Sequence, residues 1–264
     1  MNRLDKIFSE NAAKGRKTLV MFVSAGDPDL AFTEALIPAI VAAGADIVEI
    51  GVPFSDPMAD GPTIQAASQR ALAAGVTLPK ILAMVKRVRE AGCEAAFVLF
   101  SYYNVLLQYG VDKLAADSAE CGLDGWLVVD VPPEEEEELL PAMEARDVYK
   151  ITLLAPTTPR ERARDLVSRA KGFVYYITVT GVTGARTELP ADLADHLETV
   201  KAASTVPVVA GFGVSRPDQA AMIAKYVDGV VVGSKLIKTI AESDSRQQAL
   251  ADAVSLVKSL SAVM

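Results

Sequence analysis

Eight short apolar runs rich in β-branched residues recur along the chain, each separated from the next by a longer segment with helical periodicity. The runs are Leu19–Ser24, Ile47–Gly51, Ala96–Ser101, Gly125–Val129, Tyr149–Leu154, Phe173–Thr178, Val208–Gly211 and Gly229–Gly233. Helical patterns between them include Leu30–Ala43, Leu78–Ala91, Val111–Cys121 and Pro217–Lys225. Strands separated by helices must run parallel, because each crossover returns the chain to the same end of the sheet. Eight of them most simply close into a (β/α)8 barrel; an open doubly wound sheet is the competing arrangement, since periodicity does not prove closure. The amphipathic opening MNRLDKIFSE adds an N-terminal helix before the first strand. No linker-like break divides the chain, so residues 1–264 are expected to form one domain.

Composition narrows the partners. A net charge of −8 argues against nonspecific binding to nucleic acid or an anionic membrane. Cys93 and Cys121 are far apart and form no CxxC pattern, so neither zinc nor a disulfide framework is implied. The N-terminus reads as neither a signal nor a transit peptide, and no apolar run is long enough to span a bilayer. The expectation is a soluble, cytoplasmic protein.

The strand Ile47–Gly51 is apolar except for Glu49, and a buried carboxylate costs several kcal/mol unless paired or neutralised. Directly after it, PFSDPMADGPTIQ places Asp56 and Asp60 on the exit loop. Carboxylates at a strand exit suit proton transfer; a structural ion pair with turn-forming aspartates accounts for the same pattern. Three other aspartates, Asp46, Asp124 and Asp228, precede strands at their entrances and read as structural. The acidic run Glu134–Glu138 follows Pro132-Pro133 and reads as a solvated helix start.

Late strand exits are rich in glycine: VTGVTGAR after Thr178, Gly211-Phe212-Gly213 after the seventh strand, and Gly233-Ser234 after the eighth. Glycine lets main-chain N–H groups approach an anion closely, and these exits are a frequent phosphate site in such barrels. The inventory of remaining chemistry is short. His196 is the only histidine and falls in the charged segment DLADHLETV, where a surface role is expected. Metal ligation by a histidine cluster is therefore unavailable, and Lys150, Lys171 and Lys235 are poorly placed for a Schiff base. Carboxylate acid–base chemistry on a phosphorylated substrate is left.

FVSAGDPD (Phe22–Asp29), VEIGVPFSDPMADGPTIQ (Val48–Gln65), YYN (Tyr102–Asn104), VYYITVTGVTGAR (Val174–Arg186), GFGVS (Gly211–Ser215) and GVVVGS (Gly229–Ser234) resemble the tryptophan synthase alpha chain family across essentially the whole chain. The PFSDP…ADGPT and VTGVTGAR stretches are the specific ones. The resemblance implies a TIM barrel that cleaves indole-3-glycerol phosphate to indole and glyceraldehyde 3-phosphate. It implies that Glu49 protonates the indole ring at C3 and later helps remove the glycerol hydroxyl proton, while Asp60 stabilises positive charge developing at the indole nitrogen. Tyr175 would hold Glu49. Phe22, Phe100, Leu127 and Phe212 would wall the indole pocket, and Tyr102 would lie near the glycerol moiety. Gly184, Gly213, Gly233 and Ser234 would take the phosphate, and Thr183 would order its loop against Asp60.

Bland roles compete at several of these positions. Phe22, Phe100 and Leu127 also suit a barrel core, and Tyr175 a core tyrosine. Asp130 is a supporting candidate only. Val105, Thr178 and Lys235 depart from the family pattern, and Lys235 changes the charge near the phosphate.

No cofactor is expected in this chain; pyridoxal phosphate is expected in a partner beta chain, within an αββα heterotetramer. Asp56, Tyr102 to Leu107 and Pro132-Pro133 are the candidate docking loops. The alternatives are a stand-alone lyase releasing free indole, a catalytically idle partner of the beta chain, and a phosphosugar isomerase.

Overall fold

The computed structural model describes residues 1–177, 191–211 and 213–264. Its strands are β1 (Thr18–Ser24), β2 (Ile47–Gly51), β3 (Ala96–Ser101), β4 (Gly125–Val128), β5 (Tyr149–Lys150), β6 (Thr152–Leu154), β7 (Val174–Ile177), β8 (Val208–Gly211) and β9 (Gly229–Val232). All pairings are parallel, in the order β5-β4-β3-β2-β1-β9-β8-β7-β6. Only Ile151 separates β5 from β6, and its N–H donates to the Trp126 carbonyl at 2.8 Å. The two segments are therefore halves of one strand, pairing with β4 on one side and β7 on the other. That junction closes the sheet, so the eight expected strands form a barrel and the open-sheet alternative falls.

Side chains alternate between two environments, as the period of a strand requires. Leu19, Met21, Val48, Ile50, Phe97 and Leu99 pack outward against the helices, whereas Val20, Ile47, Val98, Leu127, Tyr175 and Val209 fill the barrel. The N-terminal helix Arg3–Ala13 sends Leu4 and Phe8 into that inner cluster, with the Phe8 ring tilted against Phe173 at 5.7 Å. The helix stoppers the entrance end. Access to the interior is left to the exit end, where the loops carrying Asp60 and the glycines lie.

The three entrance aspartates share one device. Asp46, Asp124 and Asp228 each accept a main-chain N–H from the strand before their own: Leu19 at 2.8 Å, Phe97 at 2.8 Å and Val208 at 3.0 Å. Each also meets a cation, Arg16 at 3.0 Å, Arg89 at 2.9 Å and Lys201 at 2.8 Å. Asp124 is the most deeply buried of the three and also receives Arg3, at 3.0 Å. Burial pushes its carboxyl upward in spite of both arginines. Removing one partner of a buried pair strands the other charge, so Asp124→Ala should cost about 3 kcal/mol. Urea unfolding measures this as a lower midpoint at unchanged slope; an unmoved midpoint would refute the role.

Three sequence expectations need correction. Residues Pro133–Glu138 form a 3₁₀ helix, and its acids are not simply solvated. Glu136 pairs with Lys150, Glu134 with Arg162 at 2.7 Å, and Glu138 accepts from the Tyr103 phenol. The reason is Lys150, which lies on the outer face of the barrel strand with its side chain only 5% exposed and requires a counter-charge. His196 is half-buried, and its Nδ1 shares a hydrogen bond with the buried Tyr176 hydroxyl, because its helix packs on β7. Finally, the segment after Tyr102 is not a loop but the helix Tyr103–Tyr109.

Candidate active site

Glu49 is the third residue of β2 and points into the barrel, between Phe22 of β1 and Val98 of β3 in register. Its residue is 1% exposed, and neither carboxylate oxygen has a hydrogen-bond partner among the described residues. Desolvation raises its pKa from 4.5 to about 8. The structural ion pair allowed by the sequence is not formed among the described residues. A carboxyl group in this environment holds its proton at neutral pH and is driven to find a partner that the described residues do not supply.

Aromatic and aliphatic surface encloses it. Phe22 and Phe100 meet edge to face at 5.2 Å, and Leu127 and Tyr175 belong to the inner cluster. The expectation that Tyr175 holds Glu49 is not met here: the two are close enough for the Glu49 charge to raise the Tyr175 hydroxyl, after burial, but no hydrogen bond joins them. The tyrosine hydroxyl instead lies against β8, where a Cβ at Gly211 would come within 2.9 Å of it. Gly51 is constrained in the same way, since a Cβ there would sit 2.4 Å from the Phe22 ring. Glycine at these two strand ends makes room for the rings.

Asp60 lies on the loop from β2 to the helix Pro62–Ala73, partly buried. Gln65 Nε2 donates to the Asp60 carbonyl at 2.7 Å. Burial raises the Asp60 carboxyl, opposed by a hydrogen bond from Tyr102. The Tyr102 hydroxyl also accepts from the Ala59 N–H at 3.1 Å, and its ring stacks on Phe54 at 5.0 Å. Burial above all pushes this phenol up to about 12, so it stays a donor. The helix that follows Asp60 is anchored by Arg70, which grips the buried Asp27 of the β1 exit loop at 2.7 and 2.8 Å. Sequence reading missed Phe54, Gln65 and the Asp27–Arg70 clamp; an acid and a base forty-three positions apart carry no local signal.

At the glycine-rich end, Gly213 and Gly233 follow the neighbouring strands β8 and β9. Gly213 takes φ 67, a left-handed conformation that only glycine adopts freely, with open space where a Cβ would stand. Gly233 precedes the helix Ser234–Ala241, which has no acid in its first turn. Ser234 is exposed at its start, with Lys235 next to it. Thr183, Gly184 and Phe212 lie outside the described residues. Among the described residues, no group of three His, Cys, Asp or Glu side chains could hold a metal ion.

A solitary protonated carboxyl in an aromatic pocket, a second carboxylate on a tyrosine-held loop and glycines at the exits of two neighbouring strands suit acid–base chemistry at a pocket open to the exit end. The sequence profile described as "Tryptophan synthase alpha chain" matches residues 8–264. The chain is 54% identical over 238 residues to the tryptophan synthase alpha chain of Geobacter sulfurreducens, covering 90% of each. It is 42% identical over 264 residues to that of Caldanaerobacter subterraneus subsp. tengcongensis, covering all of both. Tryptophan synthase subunit alpha from Legionella pneumophila superposes with a TM-score of 0.92 at 36% identity, across 100% of this chain and 98% of that one. In fold, in sequence and over nearly its full length, the chain belongs to the tryptophan synthase alpha chain family.

Proposed function

We propose that Glu49 and Asp60 are the acid–base pair that cleaves indole-3-glycerol phosphate in this chain. The chain is a lyase of tryptophan biosynthesis, and its reaction is the retro-aldol release of indole and glyceraldehyde 3-phosphate. The observation that carries the assignment is the buried Glu49 carboxyl, which has no hydrogen-bond partner among the described residues and retains a proton at neutral pH.

Protonated Glu49 gives that proton to C3 of the indole ring. The ring becomes an iminium-like electron sink, with positive charge at nitrogen that the Asp60 carboxylate stabilises. Glu49, now ionised and still desolvated, takes the proton of the glycerol hydroxyl as the carbon–carbon bond breaks. The pair of electrons from that bond restores the indole, and the hydroxyl carbon becomes the aldehyde of glyceraldehyde 3-phosphate. Protonated indole does the work that a lysine or a metal does in other aldolases. Phe22, Phe100, Leu127, Tyr175 and Phe212 form the indole pocket, and Tyr102 lies beside the glycerol. Gly184, Gly213, Gly233 and Ser234 bind the phosphate, with Thr183 closing its loop on Asp60 to exclude water.

The partner is a tryptophan synthase beta chain carrying pyridoxal phosphate, in an αββα assembly in the cytoplasm. Two large apolar side chains at the exit end support docking there: Met58, on the Asp60 loop, is 81% exposed, and Leu107, on the helix after β3, is 53% exposed. No helix among the described residues is long and apolar enough to cross a membrane.

The test is indole release from indole-3-glycerol phosphate by the full chain, with and without an added beta chain. Slow release that rises sharply with the partner is expected. Fast release unaffected by the partner would favour a stand-alone lyase, and none in either condition an idle partner or an isomerase.

A further inference from the structure

Tyr102 stands where the chain leaves β3 and turns into the helix Tyr103–Tyr109, with extended backbone (φ −103, ψ 148). The first N–H groups of a helix have no partner within it and are usually capped by the side chain of the residue just before. Tyr102 cannot do this, because its phenol reaches away to accept the Ala59 N–H at 3.1 Å, beside the Asp60 carboxyl. The cap comes from the neighbouring strand instead. Asp130, just beyond β4, accepts the Tyr103 N–H at 2.8 Å.

The same segment holds Tyr103 a second time, through its phenol on Glu138. The approach is fixed from below by the sheet, since Ser101 pairs with Val128 and the Val129 N–H donates to the Ser101 carbonyl at 3.2 Å. Tyr102 is thus clamped between a strand ladder on one side and a capped N–H on the other. Its ring, 2% exposed and stacked on Phe54, is left one direction, toward the Asp60 loop.

We propose that Asp130 is a positioning residue for the Asp60 loop: by fixing the Tyr103 N–H it aims the Tyr102 hydroxyl at Ala59 and Asp60. The inference rests on the lyase reading above and adds to it a residue that need not touch substrate. Asp130 itself is exposed, so its substitution leaves the barrel core intact. A cap that only stabilised the helix would change the unfolding midpoint and leave turnover alone.

The experiment measures kcat and KM for indole release by the full chain with a saturating beta chain, for wild type, Asp130→Ala, Asp130→Asn, Tyr102→Phe and the double variant Asp130→Ala/Tyr102→Phe. Misplacing a charge that acts in the transition state should show in kcat, so Asp130→Ala is expected to fall about 10-fold with KM held within about twofold. Asp130→Asn, which keeps an acceptor oxygen, should recover most of the rate. The double variant should be no slower than Tyr102→Phe alone, because both substitutions remove one contact path. Wild-type kcat in Asp130→Ala, failure of Asp130→Asn to recover the rate, or two losses that multiply in the double variant, would overturn the inference while leaving the lyase reading in place. A wild type that releases no indole overturns both.

Discussion

Glu49→Gln lowers the rate of indole release by about 10³-fold while substrate affinity stays within a few fold, the scale at which positioned acid–base groups contribute. Glutamine keeps the size and neutrality of the protonated carboxyl, so the pocket of Phe22, Phe100 and Leu127 is undisturbed. What it lacks is a proton to give to C3 and a base to take the hydroxyl proton. No other acid or base among the described residues is hydrogen-bonded to Glu49 and ready to take over its proton transfers. Asp60→Asn should fall by about 10²-fold or more, since it removes a charge that is useful only once the indole nitrogen becomes positive. Both variants should unfold cooperatively, and retained turnover in both would sink the mechanism.

The second large effect is on stability. Glu49 titrates at 4.5 in its ordinary state and at about 8 in the folded protein, so folding takes up a proton between those values. For a carboxyl raised in this way, the stabilisation is fully present below pH 4.5 and is lost as pH rises through about 8. Over that span the loss is on the order of 5 kcal/mol. Glu49→Gln has no proton to lose. Its stability relative to wild type, from urea unfolding at a series of pH values, should therefore improve steadily from acid to mildly alkaline conditions and then level off. A difference that does not change with pH would mean that Glu49 ionises freely in the folded state.

Much of this was legible in the chain before folding. β1, β2, β3 and β8 follow their apolar runs to within a residue, because β-branched segments between turn residues have few other uses. The entrance aspartates were readable as structural from their position alone, though not their shared grip on the preceding strand. Glu49 and Asp60 stood out as charges where charge is costly. Less visible was everything set by long-range contact. The break at Ile151 that splits one strand in two leaves no mark in the sequence. Lys150 reads only as a lysine at a strand entrance until the sheet places it under the 3₁₀ helix and pairs it with Glu136. The absence of a bond between Tyr175 and Glu49 could not be foreseen either, since it depends on where the tyrosine ring settles beside Gly211. Asp27 and Arg70, or Asp130 and Tyr103, meet only because parallel strands return their exits to one end of the barrel.

The most direct test of the proton held by Glu49 is the pH dependence of kcat/KM for indole release, measured with a saturating beta chain. If the free enzyme must carry its proton on Glu49, activity should hold near neutrality and then fall about tenfold per pH unit above about 8. A rate that stays level from neutrality to about pH 10 would show that the proton for C3 comes from elsewhere.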